Sequence, residues 1–519
     1  MLSKQHRRAA PIKRNTSQLA NLALLLALAA TTASAATAAS AATAAPATQP
    51  CRVEGVATEL QCGSLLRPLD PARPAGTQIT IHYLVVPAMA RNKQADAVLM
   101  LAGGPGQSAI AIAPLVLPRL MRLNNRRDLV FIDQRGTGKS APLLCADEAK
   151  LPMAQALDPA AQLQRIQQCR LDLAQLPHGD VRFYTTTLAM QDFEAVRQQM
   201  RVPQWNLIGG SYGTRAALEY LRQFPAQVRR TVLDGVAPPD MVLPTSVSTD
   251  GQAALDASLA ACEKDRPGCA QQFPRLRQDW AALLLSLPRS ISVNHPLTGV
   301  PERFTLTRDL LLRTVRTPLY APALAAALPA ALHAATDGRF EGLMGLSGAL
   351  GSGKAMQLAM GMHFSVVCAE DMPRLAAQTS NPPGRDFGSG DAAMYAQVCK
   401  SWPRGEVPAA FYSIPPATSP VLLLSGGADP VTPPRHGERV AQALGRQAQH
   451  IVVAEAGHGV MGVGCMRELL FRFIDAKQDS AALPQDASCA ANIPRPPVFL
   501  PVQAAASTTA AATAKRAQP

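Results

Sequence analysis

The stretch Trp205-Asn206-Leu207-Ile208-Gly209-Gly210-Ser211-Tyr212-Gly213 compresses the end of a strand, a tight turn and the start of a helix into nine residues. The apolar run before the glycines reads as a buried strand, and Thr214-Arg215-Ala216-Ala217-Leu218 opens a helix-like segment. Glycines two before and two after Ser211 permit a turn sharp enough to lift its hydroxyl above a sheet, where a side chain at either place would clash. The same pattern also arises as an ordinary glycine turn, so its surroundings must decide between the two readings.

A serine nucleophile needs a base, a carboxylate to orient that base, and amide donors for an oxyanion. The run Pro420-Val421-Leu422-Leu423-Leu424-Ser425-Gly426-Gly427-Ala428-Asp429 reads as a buried strand with Asp429 at its carboxyl end, the candidate orienting acid. One helix-length further on, His450 to Ala454 reads as another strand. It is followed by Glu455-Ala456-Gly457-His458-Gly459, which makes His458 the candidate base. Asp234 also ends a strand and His436 lies near Asp429, so each is a rival for one of these roles. The order Ser211, Asp429, His458 suits an α/β-hydrolase arrangement and not the chymotrypsin or subtilisin orders. For the oxyanion, the strand Ala97 to Leu101 runs into Ala102-Gly103-Gly104-Pro105-Gly106, so the amides of Gly104 and Tyr212 are the candidate donors.

Three blocks carry a family resemblance: Gly103 to Gly106, Asp133-Gln134-Arg135-Gly136-Thr137-Gly138-Lys139-Ser140 after the strand Leu129 to Ile132, and Gly209 to Gly213 with Asp429 and His458. Over roughly Cys51 to Pro501 the chain resembles the α/β-hydrolases related to proline iminopeptidase and the secreted tripeptidyl aminopeptidases. Iminopeptidases usually carry a histidine before the first glycine of the oxyanion block; Ala102 stands there instead, which is closer to the tripeptidyl branch. The resemblance implies a mostly parallel central sheet flanked by helices, with a large, mainly helical lid inserted between core strands.

Length and spacing agree with an insertion. A chain of 519 residues exceeds a usual single core, and nearly two hundred residues separate the strand Thr231 to Asp234 from the strand at Val421, far more than a crossover needs. Helix-like patterns at Thr307 to Thr314 and Pro322 to Ala335 fall inside it. The expected organisation is a leader at 1–35, a disordered Ala/Thr-rich linker at 36–50, core at 51–240, lid at 241–405, core again at 406–501, and a disordered tail at 502–519.

The leader has basic residues at Lys4, Arg7, Arg8, Lys13 and Arg14, an apolar run from Leu19 to Ala30, and Ala33-Ser34-Ala35 as a cleavage site. It predicts export to a periplasmic or extracellular space, with no stable membrane association after cleavage. An uncleaved anchor is the rival, against which the apolar run falls short of the ~20 residues that span a bilayer. The net charge of +13 includes those five leader charges, which leaves +8. With aromatics at 4% and no basic stripe interleaved with them, nucleic-acid binding is not expected.

An even set of ten cysteines beside an export signal predicts disulfides. Local pairing would join Cys51 to Cys62, Cys145 to Cys169, Cys262 to Cys269, Cys368 to Cys399, and Cys465 to Cys489, a connectivity that sequence alone leaves open. A metal site has little to stand on without a C-x-x-C or H-E-x-x-H pattern. Gly348 to Lys354 imitates a phosphate-binding loop, but Ala355 replaces the residue that would hold magnesium, and Gly136 to Ser140 lacks the required upstream glycine.

These readings predict a serine hydrolase without metal or organic cofactor, acting on a peptide or small ester substrate. An aminopeptidase must also hold a free α-ammonium, for which Glu370 is the candidate, against a capping or surface-pairing role for the same residue. A carboxylesterase or lipase uses the same three side chains and is the rival enzyme. A binding protein on this scaffold would be expected to have lost one of them, whereas epoxide hydrolases and dehalogenases would need a carboxylate where Ser211 stands.

Overall fold

Runs of Leu, Val and Ile without a charge, such as Ala97–Leu101, Leu129–Ile132 and Val421–Gly426, can be satisfied only by burial on both faces, and they form the middle of a nine-stranded sheet. The computed structural model describes residues 47–501 apart from 149–150, 296, 351–355, 378–382 and 485. The expected leader and tail, most of the linker, and the lysine end of the phosphate-loop imitation lie outside the described residues.

Eleven strands are described: β1 (Thr48–Cys51), β2 (Leu60–Pro68), β3 (Gln78–Val86), β4 (Ala97–Leu101), β5 (Leu129–Ile132), β6 (Trp205–Gly210), β7 (Val228–Asp234), β8 (Arg289–Asn294), β9 (Pro301–Leu306), β10 (Val421–Gly426) and β11 (Ala448–Val453). The large sheet has the order β1-β2-β3-β5-β4-β6-β7-β10-β11, and β8 pairs with β9 alone. Strands β5, β4, β6, β7, β10 and β11 run parallel, while β1, β2 and β3 add an antiparallel flank. Alternate residues of each central strand enter opposite cores. Leu99, Val130, Leu207 and Leu423 pack on one face. Val98, Phe131, Ile208 and Leu422 pack on the other.

The helices that position the site are α1 (Ala109–Asn124), α2 (Thr186–Gln199), α3 (Tyr212–Gln223), α4 (Leu243–Lys264), α5 (Arg308–Leu319), α6 (Met360–Val366), α7 (Gly390–Ser401), α8 (Pro434–Leu444) and α9 (Met466–Asp475). Elements α4 to α7, with the β8–β9 hairpin, form a helical region inserted between β7 and β10. It has an apolar core of its own, built on residues such as Leu255, Trp280, Leu311 and Leu332. The helix expected over Pro322 to Ala335 is two pieces, Pro322–Ala325 and Leu328–Thr336, each with a proline in its first turn, where the missing N–H costs nothing.

One expectation is overturned at the edge. Residues 48–50, assigned to a disordered linker, pair antiparallel with β2 as part of β1. Their composition buries little, but the ladder satisfies their backbone, and the Cys51–Cys62 disulfide closes it. The other disulfides join Cys145 to Cys169, Cys262 to Cys269, Cys368 to Cys399, and Cys465 to Cys489. Among the described residues no helix is long and apolar enough to cross a membrane.

The block Asp133 to Ser140 is a structural turn. Asp133 accepts from Ser108 Oγ at 2.6 Å and from the amides of Ile110 and Lys139 at 3.1 Å each, which ties the turn to the start of α1.

Candidate active site

At the end of β6 the chain cannot continue straight, because α3 begins at once. Ser211 absorbs the bend at φ +54° and ψ −124°, a conformation that non-glycine residues rarely adopt and that costs about 1–3 kcal/mol. The neighbouring glycines are required by contact. A Cβ on Gly209 would stand 2.4 Å from the Gly213 carbonyl oxygen, and one on Gly213 would stand 2.2 Å from that of Leu101. The turn is held by Ser211 N donating to the Asp234 carbonyl at 2.9 Å and by Thr214 Oγ1 donating to the Ser211 carbonyl at 2.6 Å.

His458, after β11, lines the same cavity as Ser211, and Asp429, after β10, stands behind it against the ring. The Asp429 side chain is buried. Its Oδ1 accepts the amides of Val431 and Thr432 at 2.8 and 2.9 Å, and its Oδ2 lies 2.8 Å from His458 Nδ1. Thr432 Oγ1 donates to Asp429 Oδ2 at 2.7 Å and lies 3.1 Å from Nδ1. A carboxylate on Nδ1 puts the neutral ring's proton there and leaves Nε2 as the basic nitrogen. Burial opposes ionisation of both groups, but their mutual attraction and hydrogen bonds outweigh it: Asp429 is held below the usual carboxylate range and His458 above the usual imidazole value.

Two further groups set the histidine loop. Asp234, the rival acid, is buried, and its carboxylate accepts the amides of Val460 at 2.7 Å and Met461 at 2.9 Å. It grips the loop and not the ring. Tyr320, from the inserted region, accepts the His458 amide on its carbonyl at 2.8 Å and packs its ring edge-on to the imidazole, with centroids 5.2 Å apart. The other rival, His436, is bonded to Asp250 at 3.1 Å.

The oxyanion candidates also line the cavity. Gly104, at φ +106°, has no room for a side chain, since a Cβ would stand 2.8 Å from the Gly106 amide nitrogen. Tyr212 is the first residue of α3, so its amide is among those without a partner inside the helix. The inserted region clasps this loop: Ala359 N donates to the Gly106 carbonyl at 2.9 Å, and buried His363 donates from Nδ1 to the Pro105 carbonyl at 3.0 Å. Its Nε2 accepts from Tyr395 Oη at 2.7 Å, and burial pushes the imidazole down to about 4, so the ring stays neutral.

Glu370 does not line the cavity. It is fully buried; Oε1 accepts the Thr186 amide at 2.7 Å and Oε2 accepts Thr186 Oγ1 at 3.0 Å. Burial pushes its carboxyl up to about 7, against the pull of Arg215. The chain winds as a π-helix over Val367–Asp371, and it is Asp371 that faces the cavity, paired with Arg215 at 2.6 Å. In this arrangement both Glu370 oxygens are engaged by Thr186, away from the cavity wall. Thr432, three residues after Asp429, had a local turn signal that could have revealed it. Tyr320, His363 and Arg316 lie in the insertion and had none.

The cavity has a volume of about 530 Å³, within the range of small-ligand sites, and much of its wall is apolar, from Met100, Ile112, Val247, Leu358 and Met461.

Comparison with known proteins gives the family of the fold. A family model described as the alpha/beta hydrolase fold matches residues 96–464. The chain belongs to the alpha/beta hydrolase family. This alpha/beta hydrolase is 29% identical over 197 residues to a tripeptidyl aminopeptidase of Streptomyces coelicolor, covering 35% of this chain and 36% of that protein, so the match spans about a third of that relative's length. It is 24% identical over 434 residues to the serine protease Hip1 of Mycobacterium tuberculosis, covering 76% and 82%. With carboxylesterase B of the same organism it shares 27% over 430 residues, covering 74% and 78%. Among solved structures it is similar to a proline iminopeptidase of Mycobacterium smegmatis, at 14% identity and TM-score 0.37, covering 79% of this chain and 97% of that one. The relatives' names include peptidases and an esterase.

Proposed function

We propose that this alpha/beta hydrolase is an exported serine hydrolase that cleaves peptides near their amino ends through an acyl-enzyme on Ser211. The observation that carries the reading is His458, bonded to buried Asp429 at 2.8 Å, lining the same cavity as a serine held at φ +54°. Ser211 Oγ attacks the carbonyl carbon while His458 Nε2 takes its proton, and the negative charge on the carbonyl oxygen is met by the amides of Gly104 and Tyr212. The carbon–nitrogen bond then breaks as His458 returns the proton to the leaving amine. Water, deprotonated by the same nitrogen, displaces the serine.

The names of the tripeptidyl aminopeptidase and Hip1 relatives favour a peptide substrate. In this reading residues 51–240 and 406–501 are the core, and 241–405 are a lid that shapes the substrate space. The five disulfides and the leader support export. A carboxylesterase is the second reading, favoured by the largely apolar wall and by the commitment of Asp234 and Asp371 to other partners.

A panel of chromogenic amides with free and blocked amino ends, set against short acyl esters, separates the two. The peptidase reading expects the free-amine amides to lead in kcat/KM, and a preference of about tenfold or more, worth roughly 1.4 kcal/mol, for esters or blocked amides assigns the esterase. Ser211→Ala is expected to lower turnover of any of them by roughly 10⁵- to 10⁶-fold. An unchanged rate would remove Ser211 from the chemistry.

A further inference from the structure

Four carboxylate or guanidinium side chains line the cavity: Arg215, Asp234, Arg316 and Asp371. Three are committed to the protein. Asp234 accepts the Val460 and Met461 amides. Asp371 takes Arg215 on one oxygen at 2.6 Å and the Leu243 amide on the other at 3.3 Å. Arg215 gives its second terminal nitrogen to the Met241 carbonyl at 2.9 Å, and its Nε, though without a partner, is buried away from solvent.

Arg316 differs. Among the described residues its one hydrogen bond runs from Nη1 to Asp391 Oδ2 at 2.7 Å, and Asp391 does not line the cavity. A guanidinium has five N–H donors in a planar fork that matches a carboxylate. Nε and Nη2 are therefore left for a ligand, on a side chain that keeps 19% of its surface exposed. Asp391 balances the charge from behind, which lets the arginine stand in an apolar wall without a ligand.

Its position places it beside the chemistry. Arg316 is in the last turn of α5, and Tyr320 follows four residues later on the same face, also lining the cavity. Because the Tyr320 ring packs on His458, Arg316 lies about one helical turn, ~5.4 Å along the axis, from the residue that touches the base.

We propose that Arg316 is the carboxylate-recognising group of this cavity, and that the substrates hydrolysed carry a carboxylate close to the scissile bond. The proposal rests on the hydrolase reading above and adds the charge of the substrate. Two sources supply that chemistry: the free carboxyl end of a short peptide, on the leaving side, or an acidic side chain, on the acyl side. The cation at the end of α5 also complements the helix dipole, but a dipole partner needs no open donors on a cavity wall.

The test compares kcat/KM for matched carboxylate and carboxamide substrates in two series. One consists of short peptides with free or amidated carboxyl ends, and the other of chromogenic amides with succinyl or succinamyl acyl groups. The native chain is expected to prefer the carboxylate by about tenfold or more in one series, the scale of a hydrogen bond to a charged group, and that series names the source. Arg316→Gln should collapse the preference through KM, and Arg316→Lys should keep part of it. Should Arg316→Gln fail to fold with Asp391 unpaired, the double variant Arg316→Gln/Asp391→Asn removes both charges and reads the same ratio. Normal turnover with no charge preference in the native chain, or a preference that survives in both glutamine variants, overturns the proposal alone. No turnover of any substrate together with no labelling of Ser211 by a fluorophosphonate overturns the hydrolase reading and this proposal with it.

Discussion

The central sheet and the inserted helical region meet at one cavity, yet they contribute in different ways. Every group that would take part in bond breaking stands at the carboxyl end of a parallel strand: Gly104 after β4, Ser211 after β6, Asp429 after β10 and His458 after β11. Parallel strands end on one edge of the sheet, so the topology itself gathers these residues. The inserted region has an apolar core of its own around α4 and α5, packs Phe364 and Val398 of α6 and α7 into the core of the sheet, and supplies wall and braces: Arg316, Tyr320, Leu358, His363 and Asp371. It reaches the chemistry through two main-chain contacts, His458 N to the Tyr320 carbonyl and Ala359 N to the Gly106 carbonyl. The contrast teaches that the reaction is set by strand order, whereas alignment of the base and the oxyanion loop is shared with the inserted region.

Variants on the two sides should therefore differ in size and kind. On the sheet side, Asp429→Asn keeps the shape of the site but removes the charge that orients and stabilises the imidazolium, and kcat is expected to fall about 10⁴-fold. Its pH profile sharpens the point. His458 must be neutral to accept a proton, so kcat/KM of the native chain should fall as pH drops through a value above the ordinary 6.5. In Asp429→Asn that acid limb should move to lower pH, because the raising charge is gone; an unmoved limb would assign it to another group.

On the inserted side, Tyr320→Ala removes the ring against the imidazole and leaves the main-chain bond. A loss of roughly 10–100-fold, mainly in kcat and restored by Phe, is expected from misplacement of the base. An effect as large as that of Asp429→Asn would erase the distinction between chemistry and brace.

The smallest effect belongs to Glu370→Gln. With its carboxyl pushed up to about 7, the native residue is largely protonated below that pH, and glutamine resembles the protonated acid. Turnover at or below neutral pH should change by no more than about twofold, with KM shifted equally for free-amine and blocked substrates. A folded-state value raised above the ordinary 4.5 gives a contribution to stability that is full below 4.5 and is lost as pH rises through about 7. Melting temperatures should therefore decline across that window in the native chain more than in Glu370→Gln.

Local pattern was sufficient for the strands and for the turns that follow them. The run Leu422 to Leu424 can only be buried, and Gly209 and Gly213 leave room for the tight turn at Ser211, so these features reside in a few consecutive residues. The same locality explains the failures. Glu370 and Asp371 are adjacent and both acidic, and only the tertiary contacts of their π-helix, Glu370 with Thr186 and Asp371 with Arg215, set one in the interior and the other on the cavity. Asp234 has the local signature of a triad acid, but its partners are the amides of Val460 and Met461, more than two hundred residues away. Residues 48–50 have the composition of a tail and become a strand because β2 offers them a ladder.

By itself the sequence determined which backbone segments are buried and how sharply they turn, and with them the order of Ser211, Asp429 and His458. Tertiary structure decided which side chains from distant segments share the cavity and which are spent on each other. The reason is physical: periodicity and glycine sterics act over a few residues, whereas hydrogen bonds and desolvation depend on whatever packing brings alongside.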